Sequence, residues 1–219
     1  MSTIKIAPSI LAADITCLGN EVLKVEKAGA EYLHIDIMDG HFVPNLSFSS
    51  DTVRGLRKIS NMVFDVHLMI TDPEKYMESF VEAGADIITV HCEVVDDLKD
   101  IAEKIHRLGV KAGVSVKPGT SIDTIREYIP FFDMVLIMTV EPGFGGQSYI
   151  VEMNGKIAEA RAIINEVSPE TELEVDGGIG PNNISMPVKS GANVIVAGSS
   201  IFKAENAENV IDEMRSAAL

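Results

Sequence analysis

Tyr32-Leu33-His34-Ile35-Asp36-Ile37-Met38-Asp39-Gly40 comes directly after Glu21–Ala28, a stretch with apolar residues at three- and four-residue spacings, and Gly29 lies between them. A helical period thus gives way to a two-residue strand period within a few positions. Gly29 stands where a left-handed C-terminal cap wants glycine. The segment therefore reads as one helix followed by one buried strand. The same rhythm returns along the chain. Short apolar runs occur at Ile4–Ile10, Tyr32–Ile37, Met62–Leu68, Ile87–Val90, Ala112–Val116, Met134–Met138, Leu173–Val175 and Val194–Ala197. Amphipathic stretches of helical length separate them, among them Lys75–Ala83, Leu98–Leu108 and Lys156–Val167, and Gly84, Gly109 and Gly191 repeat the position of Gly29. Strand and helix are expected to alternate throughout.

Eight such units in 219 residues fit a compact (β/α)8 TIM barrel. A doubly wound open sheet usually has fewer strands and a Gly-x-Gly-x-x-Gly turn after the first, whereas strand one here runs into Ala7-Pro8-Ser9-Ile10-Leu11. No linker or low-complexity segment interrupts the pattern, so residues 1–219 are expected to form a single α/β domain.

With 46% hydrophobic and 23% charged residues the chain has the composition of a globular protein. Its apolar runs, about 5–7 residues long, fall well below a membrane span, and no basic-plus-apolar leader is visible. The expectation is a soluble, cytoplasmic protein with no membrane partner. Cys17 and Cys92 have no Cys-x-x-Cys spacing and read as reduced thiols. The net charge of −15, without a Lys/Arg cluster, argues against a nucleic-acid partner. It also requires that any anionic substrate be held by local dipoles and a metal rather than by overall charge.

Catalytic groups of a TIM barrel sit at the C-terminal ends of its strands and in the loops that follow. On strand two the strand period places His34, Asp36 and Met38 on one face; on strand three it groups Asp65, His67 and Met69; on strand seven, Glu172, Glu174 and Asp176. The face that should look into the barrel is thus charged on three strands. Burying such groups costs several kcal/mol each unless they are paired or bind a metal. His34, Asp36, His67 and Asp176 make a two-histidine, two-carboxylate set suited to one borderline divalent ion per chain, Zn²⁺ first, with Fe²⁺, Mn²⁺ and Co²⁺ as alternatives. The competing reading is a set of hydrogen-bonded polar residues filling a barrel mouth. His91 and His41 are expected to line that mouth or to orient a ligand from behind.

Three glycine-bearing loops follow the late strands. They are Glu141-Pro142-Gly143-Phe144-Gly145-Gly146-Gln147, Gly177-Gly178 and Gly198-Ser199-Ser200, placed where barrels commonly hold phosphate with loop amides and a short helix N-terminus. Met38, Met69 and Met138 end their strands. They read either as apolar packing or as a flexible, water-excluding cap.

Several of these segments together resemble the ribulose-phosphate 3-epimerase family: Pro8-Ser9-Ile10-Leu11, His34-Ile35-Asp36-Ile37-Met38-Asp39-Gly40-His41-Phe42-Val43-Pro44-Asn45, His67-Leu68-Met69, Met138-Thr139-Val140-Glu141-Pro142-Gly143-Phe144-Gly145-Gly146-Gln147 and Glu174-Val175-Asp176-Gly177-Gly178. The similarity spans essentially the whole chain. It implies a TIM-barrel isomerase of the pentose phosphate pathway that interconverts D-ribulose 5-phosphate and D-xylulose 5-phosphate. It also implies His34, Asp36, His67 and Asp176 as metal ligands, with Asp36 and Asp176 doubling as the acid/base pair around a metal-stabilised enediolate. Substrate contacts would be Ser9, His67, Gly143, Phe144, Gly145, Gly146, Gly177, Gly178, Gly198 and Ser199, the late loops taking the phosphate, and a homo-oligomer is expected. The alternatives are a D-allulose-6-phosphate 3-epimerase with the same mechanism or an inactive sugar-phosphate-binding barrel. The intact histidines and aspartates argue against inactivity, and the absence of an evident Schiff-base lysine argues against a lyase.

Overall fold

The computed structural model describes residues 4–218. Eight parallel strands are present: β1 (Lys5–Pro8), β2 (Tyr32–Met38), β3 (Val63–Met69), β4 (Ile87–His91), β5 (Lys111–Val116), β6 (Met134–Met138), β7 (Glu172–Asp176) and β8 (Val194–Ala197). They neighbour one another in the order β1-β8-β7-β6-β5-β4-β3-β2. The remaining seam, between β1 and β2, is closed by a single parallel bridge from Ser9 to His34. This is the expected (β/α)8 barrel.

Around it lie α1 (Leu18–Lys27), α2 (Ser50–Arg57), α3 (Pro73–Ala83), α4 (Leu98–Arg107), α5 (Met153–Val167), α6 (Ser185–Lys189), α7 (Ser199–Phe202) and α8 (Ala207–Ala217). Gly29, Gly84, Gly109 and Gly191 all adopt positive φ after their helices, as their positions in the sequence require. One unit departs from strict alternation. Between β5 and β6 the chain forms only 3₁₀ turns, Ile122–Thr124 and Arg126–Phe131. Pro130 lies inside the second; lacking an N–H and crowding the preceding turn, it opposes an α-helix there.

The two strand faces divide the core. Leu33, Ile35 and Ile37 of β2 pack outward with helix residues such as Val22, Val25 and Val53. The inward parity fills the barrel in layers, beginning with a small apolar layer of Ala7, Tyr32, Ile87, Met134, Val194 and Val196. Glu172 lies at this lower end, accepting a 2.6 Å hydrogen bond from the Tyr32 hydroxyl and pairing with Lys5.

Interior space is tight enough to dictate residue size. Gly113 on β5 sits in register with Thr89 on β4. A Cβ at 113 would overlap the Thr89 hydroxyl and approach the Thr89 Cβ to 3.1 Å. Thr89 Oγ1 in turn donates to Asp65 Oδ1 at 3.2 Å. Gly113→Ala should therefore lower unfolding stability by about 1–3 kcal/mol in urea titrations. Combining it with Thr89→Ala should give clear non-additivity, because the second change empties the contested space.

Candidate active site

Strand register assembles the polar cluster. β2 and β3 pair His34 with Asp65 and Asp36 with His67, while β6 and β7 pair Met138 with Asp176. Since all of these lie on inward parity near strand ends, His34, Asp36, His67 and Asp176 converge. His34 Nε2 lies 3.4 Å from Asp36 Oδ1 and 3.9 Å from Asp176 Oδ2, and His67 Nδ1 lies 3.5 Å from Asp36 Oδ1. One ligand atom from each of the four falls within 4.8 Å of the others. Both histidines are fully buried, and His34 Nε2 and His67 Nδ1 have no hydrogen-bond partner. Two buried nitrogens aimed at two carboxylates, with nothing else to satisfy them, are the donor set that a divalent ion would complete.

Behind the cluster each histidine is anchored through its other nitrogen. His34 Nδ1 is 2.5 Å from Asp65 Oδ2. His67 Nε2 is 2.9 Å from His91 Nε2, and His91 Nδ1 is 3.0 Å from Glu93 Oε2. Glu174, fully buried, lies 3.6 Å from His34 Nδ1. His91 thus stands behind a cluster histidine. His41 does not: it is exposed in the loop after β2, its Nδ1 against the Asp39 carbonyl at 2.9 Å. Asp65 and Glu174 were visible in the sequence as members of a charged face but carried no assigned role. Glu93 carried no signal at all.

The two aspartates have opposite protonation tendencies. Burial, then the neighbouring Asp36 carboxylate, raises the Asp176 carboxyl to about 6. For Asp36, burial pulls upward too, but His34 and His67 outweigh it and hold the carboxyl far below its ordinary value. Burial also works against charge on His34, yet Asp36 and Asp65 overcome it and raise that ring. Burial and then the Asp65 carboxylate raise the Glu174 carboxyl well above its ordinary range. Burial lowers His91 to about 4, which leaves it neutral. Carbon-13 carboxyl titration of metal-free protein should accordingly show Asp176 taking up its proton near pH 6, with Asp36 still ionised at that pH.

Above the cluster opens a cavity lined by Ser9, Asp36 and Asp176, by all three strand-end methionines, and by the glycines of the three late loops with Phe144 and Ser199. Ser9 Oγ donates to Asp36 Oδ2 at 2.6 Å, directly across the β1–β2 seam. Met38 and Met69 pack together with Val43, and Met138 with Leu136 and Val140. The 141–147 loop is braced from within, because Gln147 Nε2 donates to the Glu141 and Phe144 carbonyls at 2.7 and 2.9 Å. It is also tied across the mouth, where Asn45 Nδ2 donates to the Gly143 carbonyl at 2.9 Å. Phe144, 54% exposed, stands at the rim. Gly178 has no room for a side chain: at φ 68°, a Cβ would overlap the Tyr149 amide nitrogen and lie 2.8 Å from the Gln147 carbonyl. Cys92 is buried and its thiol is pushed up to about 12 by burial, so it is chemically inert.

Such a barrel gathers paired carboxylates and metal-competent histidines beneath a cavity of glycine-rich loops at the C-terminal ends of its strands, where enzymes of this fold carry their active sites. Comparison with known proteins narrows the class. The family described as "Ribulose-phosphate 3 epimerase family" matches residues 5–202. The ribulose-phosphate 3-epimerase of Synechocystis sp. is 45% identical over 215 residues, covering 97% of this chain and 94% of that protein. That of Bacillus subtilis is 43% identical over 213 residues, covering 97% and 98%. Among solved structures, 3-hexulose-6-phosphate synthase from Salmonella typhimurium superposes with a TM-score of 0.71 at 16% identity, covering 98% of each chain, a likeness of fold. The chain belongs to the ribulose-phosphate 3-epimerase family and is an isomerase of the epimerase class. No helix among the described residues is long and apolar enough to cross a membrane.

Proposed function

We propose that the chain interconverts D-ribulose 5-phosphate and D-xylulose 5-phosphate by moving a proton at the third carbon between two aspartates. The observation that carries this reading is the placement of Asp36 and Asp176 together at the floor of one cavity, in surroundings that push Asp36 below and Asp176 above the ordinary carboxyl range. A carbon beside a ketone is a weak acid, and inverting it requires removal of a proton from one face and return to the other. Environments that push two carboxyls apart in acidity supply a base and an acid at the same pH. Asp36 acts as base in one direction while Asp176 donates from the opposite face, and the roles exchange in reverse.

His34, His67, Asp36 and Asp176 would hold one divalent ion, zinc first among the candidates, and when bound it supplies positive charge against the negative charge that develops on the substrate's oxygens. The chain's own residues do the rest. Ser9 orients Asp36 through its short hydrogen bond, leaving Oδ1 toward the cluster. Met38, Met69 and Met138 present apolar surface over the reacting carbon and exclude water, which would otherwise exchange or misplace the proton. The loops of Gly143–Gly146, Gly177-Gly178 and Gly198-Ser199 hold the phosphate by backbone amides.

The test is turnover in deuterium oxide with D-ribulose 5-phosphate and D-allulose 6-phosphate offered separately. The pentulose phosphate should be converted with the higher kcat/KM and should gain deuterium at the third carbon, and elemental analysis should find about one divalent ion per chain. Preference for the hexulose phosphate would reassign the substrate. Failure to exchange that hydrogen in either sugar would defeat the proton-transfer mechanism.

A further inference from the structure

We infer that Glu93 and His91 form a relay that decides which nitrogen of His67 carries its proton, keeping the His67 Nδ1 lone pair aimed at the ion site. The inference rests on the reading of that site as a metal centre. It follows from counting donors and acceptors. Glu93 Oε1 receives the Lys117 amide at 2.8 Å and the Thr120 hydroxyl at 2.5 Å, and Oε2 faces His91 Nδ1 at 3.0 Å. A carboxylate only accepts, so His91 Nδ1 must carry the hydrogen. The neutral His91 ring then has one lone pair, on Nε2, and that atom lies 2.9 Å from His67 Nε2. Two facing lone pairs would repel, so His67 places its proton on Nε2 and donates it. Its Nδ1 is left bare, 3.5 Å from Asp36 Oδ1 and without a partner.

Nothing else competes for these positions. His91 is fully buried, with its ring 5.0 Å from that of His67 and 4.7 Å from that of Phe42, so its hydrogen bond to His67 is closed to solvent, while Glu93 is exposed at the outer end. His34 reaches the same end directly, through Asp65. The two ring ligands are therefore set by separate devices, one carboxylate away for His34 and one imidazole further for His67. Glu93 and His91 are positioning residues, since neither lines the cavity.

The isosteric change Glu93→Gln should reverse the relay. Its carbonyl oxygen would still take the Lys117 and Thr120 donors, which leaves the amide NH₂ facing His91 Nδ1. That nitrogen must then accept, the proton moves to His91 Nε2, and His67 must accept there and carry its own proton on Nδ1, where it blocks the ion. Nitrogen-15 spectra of histidine-labelled, metal-free protein read the tautomer directly, and zinc competition against a colorimetric chelator reads the affinity. Wild type should show His67 protonated on Nε2, and E93Q should show Nδ1 with a zinc dissociation constant raised about 10–100-fold. Glu93→Ala, which releases His91 without forcing it, should give mixed tautomers and a smaller loss. A wild-type His67 already protonated on Nδ1 would overturn the relay, as would an E93Q protein with unchanged tautomer and zinc affinity. Wild type that takes up no zinc would instead overturn the reading of the cluster as a metal site, while the tautomers still judge the relay.

Discussion

Asp36→Asn and Asp176→Asn should each lower kcat by at least about a thousandfold, since a positioned acid or base alone contributes about 10²–10⁴-fold and each aspartate also belongs to the cluster that could hold the ion. Asparagine keeps the shape of the side chain but can neither take nor return the proton. At position 36 it also removes the negative charge that faces His34 at 3.4 Å and His67 at 3.5 Å. The two variants should nevertheless differ in what survives. With Asp36 intact, the Asp176→Asn protein can still remove a proton from the epimer presented to Asp36 and return one to the same face. It should wash deuterium into that epimer slowly without inverting it, whereas the Asp36→Asn protein should do so only from the other epimer. Measured kcat with full metal occupancy, together with mass-spectrometric deuterium uptake from each pure epimer, separates these outcomes. Retention of most wild-type turnover by either variant would remove that residue from the acid/base pair.

The barrel and the cluster were legible in the sequence for one physical reason: a parallel strand buried on both faces is expected to be apolar throughout, so His34, Asp36, Asp65, His67, Glu174 and Asp176 stand out on one parity. Parity gives the face but not the depth. Glu172 shares the parity of Glu174 and Asp176, yet it lies in the lowest layer against Tyr32 and Lys5, far from the mouth. Nor does parity distinguish a residue that faces the cluster from one that braces it; Asp65 takes its role only from its tertiary contact with His34 Nδ1. The apolar runs also ended short of the functional residues. β4 continues to His91 and β7 to Asp176, because strand pairing persists through polar side chains that a hydrophobic pattern excludes. Glu93, two residues beyond β4 in a 3₁₀ turn, belongs to no periodic pattern, and only tertiary contacts with His91, Lys117 and Thr120 give it meaning.

Removing the phosphate from the substrate should cost at least about a hundredfold in kcat/KM, equivalent to about 2.7 kcal/mol. The chain carries a net charge of −15, so long-range attraction cannot bring an anion to this cavity or hold it there. Backbone amides act over a few ångströms and are little weakened by distant carboxylates. The glycines of three loops line the same cavity as Asp36 and Asp176, so a phosphate bound among them would fix the far end of the sugar relative to the reacting carbon. Each charge-assisted hydrogen bond lost with the phosphate is worth about 1.5–3 kcal/mol. If, as proposed, that binding energy positions the third carbon between the aspartates, part of the loss should fall on kcat and not on KM alone. The loop geometry offers an independent check. At Gly198 a Cβ would lie 3.1 Å from the Ala12 Cβ, so the larger valine of Gly198→Val crowds the loop against Ala12 and Ser9. It should weaken D-ribulose 5-phosphate more than free ribulose; because its Cβ would also lie 3.8 Å from Ser9 Cβ, and Ser9 holds Asp36, metal content is measured alongside to separate the two effects. If free ribulose were turned over as efficiently as its 5-phosphate, or if Gly198→Val impaired both sugars equally, the late loops would not be the phosphate site.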